Sequence, residues 1–170
     1  MTARAPRLES IDDARHIANS LKQDLDSTYK RYLGALSADM PINFQGDVHK
    51  YMCIRLSGFL EQLVHVAITG MVRSKAHPTM GRFALSYFRH APNLNPKSFE
   101  ALIERFGEPL EESLKLFLDQ DARRDLLGNL LEVRNKTAHG DNYKGSKPNV
   151  DSYKRLVDEI YNWVISDMLA

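Results

Sequence analysis

Cysteine is almost missing from this 170-residue chain, with Cys53 as its single representative. One thiol closes no intramolecular disulfide and builds no cysteine-based zinc site. Cys53 falls on the apolar face of a helical segment and reads as a small core residue. An excess of either charge is also missing: Lys+Arg 23 against Asp+Glu 22 leaves a formal charge of +1. That balance excludes a protein that holds nucleic acid by bulk charge, so any nucleic-acid role rests on a local site. No apolar run is long enough to span a bilayer, because "FLEQLVHVAITGMV" is broken by Glu61, Gln62 and His65. The first twenty residues carry no continuous apolar segment of the signal-peptide kind, so a cytoplasmic location is expected. Strand alternation bounded by hairpin turns is absent, as are internal repeats and low-complexity tracts. There is no HExxH, no glycine-rich phosphate loop and no Gly-x-Ser-x-Gly, and His49, His65, His77 and His90 lack metal-ligand spacing. Neither a metal nor a cofactor is expected.

What remains is helical periodicity. Ile11, Ala14, Ala18, Leu21, Leu25, Tyr29, Tyr32 and Leu36 alternate three- and four-residue steps, and Ser10 with Asp13 forms a capping pair ahead of them. Pro41 and Gly46 interrupt the pattern, and a second long helix is expected from about Asp47 to Arg73. "RFALSYFRH" reads as a short helix. In "NPKSFEALIERFG", Asn95 is a cap, Pro96 takes the first helical position and Gly107 stops the run. "EPLEESLKLFL", "DARRDLLGNLLEVRNKTAH" and "NVDSYKRLVDEIYNWVISDML" continue as helices, with the polar loop "GDNYKGSKP" before the last. Tyr29, Tyr32, Phe59, Phe117 and Trp163 fall at helical spacing as core aromatics. The expected fold is all-α, one domain over residues 1–170: a bundle of four principal helices with short helical insertions.

One residue breaks the pattern. Around the helix that carries "LEVRNKTAHG", residues Leu126, Leu127, Leu130, Leu131, Val133, Thr137 and Ala138 make a continuous apolar face, and Arg134 projects from the middle of it. A guanidinium does not lose its proton, so burying it alone would cost several kcal/mol. The second helix offers a partner. Its apolar face is Met52, Leu56, Phe59, Leu60, Leu63, Val64 and Ala67, with Glu61 at the margin among Ile54, Ile68 and Val72. A bidentate Glu61–Arg134 pair between the two helices makes both charges tolerable. The wheel alone leaves two readings open: a structural ion pair, or a functional site.

Asn135 and His139 favour the second reading. They lie four apart on one face bordering the polar side, and Gly140 follows as a left-handed stop, placing the imidazole on the last turn. An imidazole there is placed for proton transfer near neutral pH. On one helix, however, Arg134 and His139 are about 140° apart around the axis and roughly 7.5 Å apart along it. A two-fold partner laying the same helix end alongside would gather both copies in one cleft.

"RNKTAH" resembles the Arg-x4-His signature of HEPN domains, the higher eukaryote and prokaryote nucleotide-binding superfamily, in the form with Asn directly after Arg. Arg-x4-His alone arises by chance in roughly one chain of this size in five, and requiring the Asn lowers that to on the order of one in a hundred. "RLSGFLEQLV" resembles the segment that carries the acidic residue in these domains. "NPKSFEALIERFG", followed by a short helix ahead of the motif, is similar to the RiboL-PSP branch. The resemblance is strongest over residues 45–168.

The resemblance implies a dimeric, metal-independent endoribonuclease of toxin–antitoxin or phage-defence type, acting on single-stranded RNA. By the same resemblance His139 is the acid/base, Arg134 stabilises charge on the scissile phosphate, Asn135 positions phosphate or histidine, and Glu61 holds Arg134. The implied partners are RNA, a second copy of the chain and a cognate antitoxin protein. Some HEPN toxins carry a tyrosine two residues after the motif His; Asp141 stands there, with the next tyrosine at Tyr143. Two alternatives share the helical pattern: a non-catalytic HEPN-like module binding RNA, nucleotide or protein, and a dimerisation scaffold without a ligand.

Overall fold

A computed structural model describes residues 8–37, 40–92, 94–139 and 146–170. Seven α-helices occupy these residues, in the order α1 (Ile11–Ser37), α2 (Ile42–Lys75), α3 (Pro78–Ser86), α4 (Pro96–Ile103), α5 (Glu108–Leu118), α6 (Arg123–Ala138) and α7 (Lys147–Trp163). A 3-10 turn over Glu104–Phe106 joins α4 to α5, and a π-type turn over Val164–Met168 extends α7. Among the described residues there is no strand.

Local chemistry explains the helix ends. The Ser10 hydroxyl accepts from the Asp13 N–H at 3.0 Å, and the Asp13 carboxylate accepts from the Ser10 N–H at 3.0 Å. This reciprocal box opens α1 as its sequence anticipates. Asn95 caps α4 by accepting from the Ser98 N–H at 2.9 Å, Pro96 follows, and Gly107 at φ 94° turns the chain out. At α2 the expectation is corrected: the helix begins at Ile42 rather than near Asp47 and runs through Gly46 to Lys75. Pro41 supplies the start, because a proline needs no N–H donor there, and its carbonyl accepts from Phe44 and Gln45. Gly46 lowers helix propensity by about 1 kcal/mol but does not forbid the helix. The short helix expected at "RFALSYFRH" likewise begins earlier, at Pro78 behind the His77 cap.

The long helix α2 is the axis of the core. Met52, Leu56, Phe59, Leu60, Leu63, Val64 and Ala67 are all buried along it, together with Cys53 and Ile68. Burial pushes the Cys53 thiol up to about 12, which keeps it protonated and inert at neutral pH. Helix α1 lies antiparallel to α2, as three cross-links at successive depths show: Ala14 against Gly70, Asp24 to Arg55 at 2.7 Å, and Tyr32 to His49 at 2.9 Å. A Cβ on Gly70 would stand 2.5 Å from that of Ala14, so the crossing itself requires glycine. Polar bridges tie α7 to α1: Tyr29 to Asp151 at 2.6 Å, Lys154 to Asp26 at 2.9 Å and Lys22 to Asp158 at 3.1 Å. Phe99, Ile103, Leu114 and Leu118 close the core from α4 and α5, with Trp163 edge-on to Phe99 at 6.0 Å. Of the five aromatics assigned to the core, Tyr32, Phe59 and Trp163 are buried and Tyr29 and Phe117 half-buried. This packing leaves α6 against α2, which brings the two singular charges together.

Candidate active site

Glu61 and Arg134 meet across the α2–α6 contact. Both carboxylate oxygens face the same guanidinium nitrogen: Glu61 Oε1 is 3.2 Å and Oε2 3.3 Å from Arg134 Nη2. Only Oε2 accepts a hydrogen bond; Oε1 is buried and receives none. This differs from the two-nitrogen fork expected from the sequence. The reason is next in the chain: Arg134 Nη1 donates to Asn135 Oδ1 at 3.2 Å, so the second arm is already engaged.

The two charges are unequally buried. The Glu61 side chain keeps 13% of its exposure and that of Arg134 34%. The arginine on the apolar face is therefore a rim residue, whose stem lies over Leu127 and Leu130 while its head reaches outward. Burial raises the Glu61 carboxyl above the ordinary glutamate range, and the Arg134 charge opposes that rise. The pair thus costs more on the glutamate side and presents a cation to solvent on the other.

Asn135 is exposed and its Oδ1 is turned to Arg134, so its two amide N–H donors are what it retains for an incoming anion. His139 is the C-cap of α6 at φ −93°, with its backbone N–H donating to Asn135 and Lys136 carbonyls at 3.1 and 3.2 Å. Its ring is exposed, and among the described residues no hydrogen bond orients it. The helix ends after Ala138 by this cap. The left-handed stop expected at Gly140, the side chain of Ala138, and Asp141 and Tyr143 lie outside the described residues.

Sequence reasoning noted His65 only as a neighbour of Glu61, and the structure gives it more. Glu61, His65 and Thr69 recur every four residues along α2, and each holds a buried polar atom without a hydrogen bond: Oε1, Nδ1 and Oγ1. The His65 ring stacks on Phe88 at 5.0 Å and 24°. Burial, helped by the like charge of His90, pushes the His65 imidazole below its ordinary value, so its neutral form prevails. The available signal was a four-residue polar rhythm on an otherwise apolar helix. Among the described residues no three His, Cys, Asp or Glu side chains converge as a metal-binding group. None of the described helices is long and apolar enough to cross a membrane.

This arrangement can hold a fixed, solvent-facing positive charge one turn before a free imidazole. Such a set can receive a phosphate and exchange a proton at it. A family model described as RiboL-PSP-HEPN matches residues 7–166. No curated protein and no solved structure matches the chain.

Proposed function

The chain belongs to the RiboL-PSP-HEPN family, and from that premise we propose that it is a metal-independent endoribonuclease cleaving single-stranded RNA, acting as a toxin or in phage defence. The observation that carries the reading is the half-open Glu61–Arg134 pair beside an exposed, unengaged His139. A purely structural ion pair has no need of the histidine.

In this mechanism the 2′-hydroxyl of the substrate attacks the adjacent phosphorus and the 5′-oxygen leaves, giving a 2′,3′-cyclic phosphate end. The nucleophile belongs to the RNA, so DNA is spared and no metal is needed to generate one. His139 takes the proton from the 2′-hydroxyl or returns one to the leaving oxygen, a contribution of about 10²–10⁴-fold. Arg134 stabilises the charge that develops on the phosphate, Glu61 holds its head in place, and Asn135 steadies its second arm while offering amide donors. The site is shared between two protomers of a homodimer, which supplies the orientation that His139 does not receive within one chain. A cognate antitoxin protein would restrain it by covering that cleft.

The test is incubation of the purified protein with labelled RNA and matched DNA, with and without EDTA. Cleavage of RNA alone, insensitive to EDTA, ending in 2′,3′-cyclic phosphate and abolished in His139→Ala, is the expected result. Equal activity in His139→Ala or full dependence on a divalent metal overturns the mechanism. A second reading, a non-catalytic module that binds RNA, nucleotide or protein, is favoured by the unoriented His139 ring. Binding of RNA without cleavage in the wild type would select it.

A further inference from the structure

Between Glu61 and Glu100 the chain contains no Asp or Glu, where an even spread of its 22 acidic residues would put about five. The same span holds Arg73, Lys75, Arg82, Arg89 and Lys97, together with His65, His77 and His90. A chain of near-neutral total charge thus concentrates positive charge on the end of α2, on α3 and on the segment that follows. Lys75, Arg82 and Arg89 are exposed and form no ion pair among the described residues.

Large apolar side chains stand exposed in the same place. Met80 is 60% exposed, Phe83 58% and Tyr87 79%, at helical spacing on the outer side of α3. Phe83 and Tyr87 meet edge to face at 5.2 Å, which leaves ring faces open. Arg73 and Arg82 line a cleft of about 690 Å³ beside them, with Pro78, Gly81, Leu85 and one carboxylate, Glu9. The next ring, Phe88, turns inward and stacks on His65, one helical turn from Glu61. The tract therefore begins at the catalytic pair and runs outward along α3.

We propose that this acid-free aromatic tract binds the single-stranded RNA flanking the scissile phosphate, with bases stacked on Phe83 and Tyr87 and phosphates met by Arg82 and Arg89. It rests on the ribonuclease reading for which phosphate is cut. Open ring faces beside unpaired guanidinium groups suit unpaired bases and a polyanion; duplex bases are already stacked and unavailable.

The experiment measures fluorescence anisotropy of a labelled 16-nucleotide RNA, single-stranded or duplexed, with full-length His139→Ala protein so that the probe survives. Adding Phe83→Ala and Tyr87→Ala should weaken single-strand binding on the order of tenfold or more. Adding Arg82→Gln and Arg89→Gln should flatten the salt dependence by about one unit of log–log slope. All four side chains are exposed, so the melting temperature should not move. Unchanged affinity and unchanged salt slope would overturn the proposal. So would a loss of dimer in light scattering with RNA affinity intact, or binding to anionic phosphatidylserine vesicles but not to RNA. Cleavage separates the two readings. If the wild type cuts through His139 while the Phe83 and Tyr87 variants bind as before, the tract fails alone. If the wild type cuts nothing but binding depends on Phe83 and Tyr87, the nuclease reading fails alone.

Discussion

Replacing Arg134 by alanine tests how the two charges of the site share the cost of burial. Exposed ion pairs contribute about 0–1 kcal/mol, whereas removing one partner of a fully buried pair costs about 3–5 kcal/mol. Here the carboxylate side chain is 13% exposed and the guanidinium 34%, so the pair belongs in the lower part of that interval. Arg134→Ala should cost about 1–2 kcal/mol, a fall in melting temperature of roughly 2–8 °C for a chain of this size. The loss should also depend on pH. Burial already raises the Glu61 carboxyl, and Arg134 is the charge that opposes it, so the variant should raise it further. A carboxyl raised on folding contributes its stability fully below its unfolded value and loses it as pH rises through the folded value. The deficit of Arg134→Ala should therefore be small near pH 4 and grow through neutral pH. Glu61→Gln should behave differently, because it removes the buried charge itself and leaves a guanidinium already one-third in water; its cost should stay under about 1 kcal/mol. Thermal melts of the two variants and their combination, from about pH 4 to 8, read all three quantities. A pH-independent deficit in Arg134→Ala, or a Glu61→Gln loss as large, would refute this division of the cost.

Glu61→Gln should nonetheless lower RNA cleavage, since the arm that aims Arg134 loses its charge, and single-turnover rates would show unchanged cleavage if Glu61 has no positioning role. His139→Ala should leave the melting temperature within about 0.5 kcal/mol of wild type, because the ring is exposed; a larger loss would mean that it packs in the folded protein. Gly70→Ala should destabilise by about 1–3 kcal/mol, since its Cβ would stand 2.5 Å from the Ala14 Cβ and 3.1 Å from the Ser10 carbonyl. An unchanged denaturation midpoint would show that α1 can slide on α2. Light scattering at micromolar concentration should report a homodimer, and a monomer that still cleaves RNA would remove the shared site.

Much of this protein is written locally. The Ser10–Asp13 box, the Asn95–Pro96 start and the Gly107 exit act over a few residues, so each could be read from the chain and stands where expected. The apolar faces of α2 and α6 were legible for the same reason, since a 3.6-residue period needs no knowledge of the partner. The anomaly of Arg134, and the demand for a carboxylate to meet it, also followed from the sequence. Tertiary structure decided the rest. It joined Glu61 to Arg134 across 73 residues, engaged the second guanidinium arm with Asn135, and left the arginine more open than its partner. It also placed Phe83 and Tyr87 outside while turning Phe88 onto His65, although these rings sit within six residues. Periodicity specifies which side chains share a face, but depth and partnership depend on which helix lies over that face, and the packing of the whole chain sets that.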